Sequence, residues 1–118
     1  MEAMENPEHL RADRSDQAVI LLAEDDVLVE NIVRITLERD GHFVLTSQNG
    51  EEALLLSRKY PGEIHLLLSD IDMPRMNGVD LARRVSAERP GICVLLTSGY
   101  FNGPVQDYNF LPKPFRPD

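Results

Sequence analysis

Three uninterrupted apolar runs constrain this chain most: residues 18–23, residues 66–68 with their flanks, and residues 92–96. A strand with one wet face alternates apolar and polar residues. A strand covered on both faces reads as a continuous apolar run, which is the habit of parallel sheets. Phe43-Val44-Leu45-Thr46 is shorter and ends polar, as an edge strand does. A fifth run, Asn109-Phe110-Leu111, stops at Pro112, which cannot donate to a ladder.

Helical patterns lie between the runs. Leu28, Ile32 and Ile35 recur at helical spacing, with Val29, Val33 and Leu37 on a neighbouring stripe. This helix should end at Arg39-Asp40-Gly41, where Gly41 can take the left-handed cap. Ala53, Leu56 and Tyr60 form a second stripe, opened by Asn49-Gly50 and stopped by Pro61-Gly62. A third helix opens near Asn77-Gly78, carries Leu81, Ala82 and Val85, and stops at Pro90-Gly91. Strand and helix alternating at this rhythm predict an α/β fold of βαβ units with right-handed crossovers. The rhythm breaks over residues 98–108, where Gly99, Gly103 and Pro104 oppose a full helix and predict a loop with little more than a single turn. It breaks again at Arg116-Pro117-Asp118, which reads as the opening of a helix that does not follow, so the chain is expected to be cut from a longer protein or to be a short form.

At 118 residues the chain is one domain. Its formal net charge of -8 argues against nucleic acid or an anionic membrane as a direct ligand, and fits a cation or a basic partner. Cys93 is the sole cysteine, so no intrachain disulfide and no cysteine-based zinc site can form. Its place inside an apolar run predicts a small buried core residue. Residues 1–17 are polar, mixed in charge and without a signal-peptide core, and are expected to be a disordered leader. No stretch is long and apolar enough to cross a bilayer, so a cytoplasmic address is the default expectation.

Chemistry gathers where the runs stop. Glu24-Asp25 follow the first, Ser69-Asp70 the third, Thr97-Ser98 the fourth, and Lys113-Pro114 the last. Open parallel sheets bind ligands outside the carboxyl ends of their strands, so neighbouring strands would bring these residues to one edge. Three converging carboxylates repel: a like-charge pair at about 4 Å costs roughly 4 kcal/mol at an effective dielectric near 20. Protonation of one group, or a hard divalent cation, relieves this. An all-oxygen donor set favours Mg2+. Asp70 is then the candidate nucleophile, since a carboxylate can form an acyl phosphate. Lys113 would neutralise charge on the transferred group, and the Thr97 hydroxyl would donate a hydrogen bond to it. Each residue alone has an ordinary explanation: Asp25 or Asp26 as a helix cap, Asp70 as a loop residue, Thr97 as structure, Lys113 as a solvated charge. Their conjunction, in order at successive strand ends, points to function.

The motifs resemble those of response-regulator receiver domains of two-component phosphorelay signalling. The matching stretches are Leu21-Leu22-Ala23-Glu24-Asp25-Asp26, Leu68-Ser69-Asp70-Ile71-Asp72-Met73-Pro74-Arg75-Met76-Asn77-Gly78, Leu95-Leu96-Thr97-Ser98-Gly99 and Leu111-Pro112-Lys113-Pro114-Phe115. The resemblance implies a flavodoxin-like, doubly wound, five-stranded parallel sheet in order 2-1-3-4-5, filling residues 18–118. It implies Asp70 as phosphoacceptor, Asp25 as a direct Mg2+ ligand with Glu24 acting through water, and the backbone carbonyl of Asp72 as a further ligand. Thr97 and Lys113 match the switch hydroxyl and the phosphate-binding lysine. Phe110 matches the aromatic that moves with the hydroxyl, and Lys113-Pro114 matches a bond often cis in the family. The implied partner is a histidine kinase or a histidine phosphotransfer protein, and the domain would catalyse its own phosphorylation and dephosphorylation while serving mainly as a switch.

Three departures stand out. The fourth helix should be short or absent and the final helix missing, which leaves one sheet face under-covered and favours a homodimer. Asp72 adds an acidic side chain beside the nucleophile: a metal contact, a group that alters the loss of phosphate, or a solvent-facing loop charge. Short-fourth-helix receivers with a Thr-Ser-Gly-Tyr stretch resemble those of hybrid histidine kinases or stand-alone receivers. Two rivals remain. Asp70-Ile71-Asp72 also resembles the nucleophile and acid pair of haloacid-dehalogenase-type phosphatases, although that pair is expected on a first strand. A receiver-like binding module that is never phosphorylated is the other.

Overall fold

The computed structural model describes residues 17–98 and 109–112. The chain runs β1 (Val19–Ala23), α1 (Val27–Arg39), β2 (Phe43–Ser47), α2 (Gly50–Lys59), β3 (Leu66–Asp70), α3 (Gly78–Glu88), β4 (Cys93–Ser98) and β5 (Asn109–Pro112). The strands form one parallel sheet in the order β2-β1-β3-β4-β5. The first connection leads outward to the edge strand β2, and the chain then returns past β1 to β3. That reversal opens a crevice at the carboxyl ends of β1 and β3. Of the expected loop over residues 98–108, Ser98 is the last residue of β4; the rest of that loop, the fourth and final helices and residues 1–16 of the expected leader fall outside the described residues.

Local chemistry sets the helix boundaries. The Asp26 carboxylate accepts from the Leu28 and Val29 amides and starts α1, and Gly41 at φ 92 lies just past its end. Asn49 caps α2 through the Glu52 amide, and Asn77 caps α3 through the Asp80 amide. At the opposite end of the sheet, the Ala18 and Val19 amides donate to Nδ1 of His42 and of His65.

Two apolar layers sandwich the sheet. Leu21, Leu67, Val94 and Leu96 pack with Ala53 and Leu54 of α2 and Leu81, Ala82 and Val85 of α3. On the other face Ile20, Leu22 and Leu68 pack against Val33 of α1, with Val29 and Leu37 beside it. The neighbouring stripe therefore buries α1, while Leu28 and Ile32 stay 74% and 52% exposed. Cys93 departs from expectation: it is exposed, not a buried core residue. It opens β4, in register with the half-buried Leu66 of the second layer, and among the described residues only α1 contributes a helix to that layer. No helix among the described residues is long and apolar enough to cross a membrane.

One side chain ties α3 to the end of α2. The Arg89 guanidinium donates to the carbonyls of Ser57 (2.7 Å), Tyr60 (2.8 Å) and Gly62 (2.9 Å) and to the Ser57 hydroxyl (3.0 Å). It places a cation on the carbonyls that a helix leaves without partners at its C-terminus. Arg89→Ala is expected to destabilise the fold by about 2 kcal/mol, read as a lower urea midpoint at unchanged slope. A midpoint equal to wild type would mean that water replaces the guanidinium at no cost.

Candidate functional site

Parallel register brings the strand ends together. Ala23 lies beside Ser47 on one side and Ser69 on the other, and Asp70 lies beside Thr97. The backbone leaves β1 into Glu24, Asp25 and Asp26, whose roles divide. Asp26 is spent on the α1 cap. Glu24 accepts the Asp26 amide on Oε2 at 3.0 Å and donates its own amide to the Ser47 carbonyl at 3.0 Å. Ser47, itself buried, donates its hydroxyl to the Leu22 carbonyl at 2.9 Å, so the turn that carries Glu24 is bolted to β2.

One carboxylate oxygen from each of Glu24, Asp25 and Asp70 comes within 4.8 Å of the others. Glu24 and Asp70 are buried, at 3% and 6% exposure, and Asp25 is open to solvent. Thr97 is buried in the strand beside Asp70. At such separations each ionised pair repels by about 3 kcal/mol at an effective dielectric near 20, a cost that a cation placed among them turns into attraction. The donor set is hard oxygen with neither imidazole nor thiolate. It fits Mg2+ or a similar cation and does not fit zinc.

The Asp72 carboxylate stands outside this cluster and is exposed; its amide points to Asp70 Oδ1 at a long 3.4 Å. The loop that carries it is held at several points. The Ile71 amide donates to the Thr97 carbonyl (2.8 Å) and the Gly78 amide to the Ile71 carbonyl (2.9 Å). Arg75 takes a left-handed φ of 74 and pairs with Glu51 of α2 at 3.1 Å. Gly50 sits so close that a Cβ there would lie 2.6 Å from the Met76 carbonyl oxygen. Such strain in a non-glycine residue is held in place by its surroundings and recurs at functional sites.

Phe110 lies in β5, in register with Leu96, and Leu111 lies beside Thr97. Lys113 and Pro114, expected at this edge, fall outside the described residues, as does the Phe110 side chain. The sequence marks no role for Ser47, marks Gly50 as a helix opener, and marks Gly78 as a helix opener at the end of a matching stretch. Nothing in spacing marks a hydroxyl that bolts a turn or a glycine that admits a neighbouring backbone.

The chain matches the response regulator receiver domain family over residues 20–118. It is 34% identical over 110 residues to the sensor kinase CckA of Brucella abortus, covering 87% of this chain and 12% of that protein. It is 34% identical over 104 residues to the response regulator receiver protein CpdR of the same organism, covering 82% of this chain and 85% of CpdR. It thus spans a small part of the first relative and most of the second. The crystal structure of the receiver domain from the hybrid histidine kinase CckA superposes with a TM-score of 0.75 at 33% identity, over 84% of this chain and 88% of that one. The response regulator TrrA of Thermotoga maritima, solved in complex with Mg(2+)-BeF, superposes at 0.62 with 26% identity over 70% of each chain.

Asp25→Asn is expected to weaken divalent-cation binding at least about tenfold, because it removes one of few charged ligands, while its exposed position leaves the fold intact. A Mg2+ titration followed by NMR measures this, and equal affinity in the variant would remove Asp25 from the site.

Proposed function

This chain belongs to the response regulator receiver domain family and is a phosphoacceptor domain of two-component signalling; from that premise we propose that Asp70 is the acceptor and that Glu24, Asp25 and Asp70 hold a Mg2+ ion beside it. The convergence of the three carboxylates at the carboxyl ends of β1 and β3 carries this reading. The Mg(2+)-BeF complex of the similar TrrA supports the choice of ion.

Receiver domains take their phosphoryl group from histidine kinases or phosphotransfer proteins. A carboxylate oxygen of Asp70 attacks the phosphorus of a donor phosphoimidazole. A new P–O bond forms as the P–N bond breaks, and the imidazole nitrogen leaves with the electron pair and takes up a proton. The product on this chain is an aspartyl phosphate. Bound Mg2+ would neutralise charge on the phosphoryl oxygens, with the Asp72 carbonyl as a further ligand. The Thr97 hydroxyl donates to one phosphoryl oxygen and the Lys113 ammonium pairs with another. These pulls favour one of two arrangements of residues 98–108, and Phe110 follows.

The donor has a surface to land on. α1 opens two residues after Asp25, and its outward stripe of Leu28, Ile32 and Ile35 is apolar and exposed. An apolar stripe at this spacing suits an amphipathic helix of the donor, laid so that its phosphohistidine reaches Asp70. A cytoplasmic address goes with such a partner.

Incubation with acetyl phosphate and Mg2+ is expected to place a single stoichiometric label on Asp70, seen by intact mass and peptide mapping. Asp70→Asn should take no label and melt at the same temperature or higher, since one clustered charge is gone. Steady release of phosphate from a monoester would favour the phosphatase reading, and an unlabelled wild type the binding module. Ile32→Asp should slow labelling by a phosphohistidine donor about tenfold or more and leave labelling by acetyl phosphate unchanged. Equal slowing with both donors would remove α1 from the docking surface.

A further inference from the structure

The strand residue before Asp70 is a serine with no exposed surface, in a run that is otherwise leucine. Sheet interiors favour apolar residues, and a buried hydroxyl costs free energy unless it finds a partner. The Ser69 hydroxyl donates to the carbonyl oxygen of Asp70 at 2.9 Å. That carbonyl shares a peptide plane with the Ile71 amide, which donates to the Thr97 carbonyl at 2.8 Å. Both polar groups of the Asp70–Ile71 peptide are thus held, one by a side chain and one by the neighbouring strand.

Gly78 closes the third side. A Cβ at this position would fall 2.3 Å from the Asp70 carbonyl oxygen and 2.9 Å from its carbon. The first turn of α3 therefore lies directly on the same peptide, and the Gly78 amide reaches past it to the Ile71 carbonyl at 2.9 Å. Rotation of this plane about the Cα–C bond of Asp70 would leave its Cα–Cβ bond in place but swing the start of the loop, and with it the Asp72 amide that points to Asp70 Oδ1 at 3.4 Å.

We propose that Ser69 is a positioning residue for phosphoryl acceptance: its hydroxyl, with Gly78 as the opposing wall, fixes the Asp70–Ile71 peptide, and so places the Asp72 amide that orients the Asp70 carboxylate. The inference rests on Asp70 being the acceptor. Its consequence is a rate effect separable from stability. In-line attack depends steeply on orientation, and Ser69→Ala keeps the strand, the core volume and every carboxylate while removing the restraint on the carbonyl side of the plane.

The test follows labelling of Asp70 by acetyl phosphate at saturating Mg2+, well below the melting temperature. Here the carboxylate oxygen forms its P–O bond as the P–O bond to acetate breaks, and acetate leaves with the electron pair. Ser69→Ala is expected to label about tenfold more slowly at saturating donor, and the NMR signal of the Ile71 amide should shift. Ser69→Thr, which keeps the hydroxyl, should restore the rate to within about twofold of wild type. A purely structural role would lower the melting temperature and leave the rate alone. An alanine variant labelling at the wild-type rate, or a folded threonine variant as slow as alanine, would overturn the inference and leave Asp70 as the acceptor. A wild type that takes no label on Asp70 would overturn both.

Discussion

Like charges held together by backbone register are the constraint on which this molecule turns. Parallel pairing of β1 with β3 and of β3 with β4 ends the strands at one edge, so the residues that follow cannot avoid one another. The apolar layers on either face fix the strands in that register, since a slip of one residue would exchange the two faces. Hydrophobic burial thus underwrites an arrangement of Glu24, Asp25 and Asp70 that electrostatics alone would disperse. In the function proposed here, that repulsion becomes affinity for a cation and, through it, for a phosphoryl group.

Hydroxyls and glycines around the acidic edge hold it in place without adding charge. Ser47 ties the turn after β1 to β2, Ser69 and Thr97 tie the end of β3 to its own strand and to β4, and Gly50 and Gly78 admit neighbouring backbone where a methyl group would not fit. These contacts link the acceptor loop to the first turns of α2 and α3. Those two helices and β4 are therefore the elements that touch the acceptor loop directly. The opposite face is covered more lightly among the described residues, by α1, and exposes Cys93.

Much of this was legible in the sequence, for local reasons. Continuous apolar runs announced buried parallel strands, and Asn49, Asn77 and Gly41 marked helix boundaries because capping is a property of a few adjacent residues. The acidic edge was legible because its residues stand at the ends of those runs. Which stripe of α1 faces the sheet was not, since Leu28-Ile32-Ile35 and Val29-Val33-Leu37 are equally apolar and only the third dimension chooses between them. Cys93 misled for a related reason: burial inside a strand depends on what covers the face, not on the apolar neighbours in the chain. The part played by Ser69 needed the approach of Gly78, a contact between positions that no periodicity connects.

The most direct test of the central claim is a crystal structure of the chain with Mg2+ and beryllofluoride. The expected result is one cation bound by Asp25, Asp70 and the Asp72 carbonyl, with Glu24 reaching it through water, beryllium on a carboxylate oxygen of Asp70, the Thr97 hydroxyl on one fluoride and the Lys113 ammonium on another. Beryllofluoride bound elsewhere, or a Lys113 ammonium on the far side of the molecule from Asp70, would contradict it.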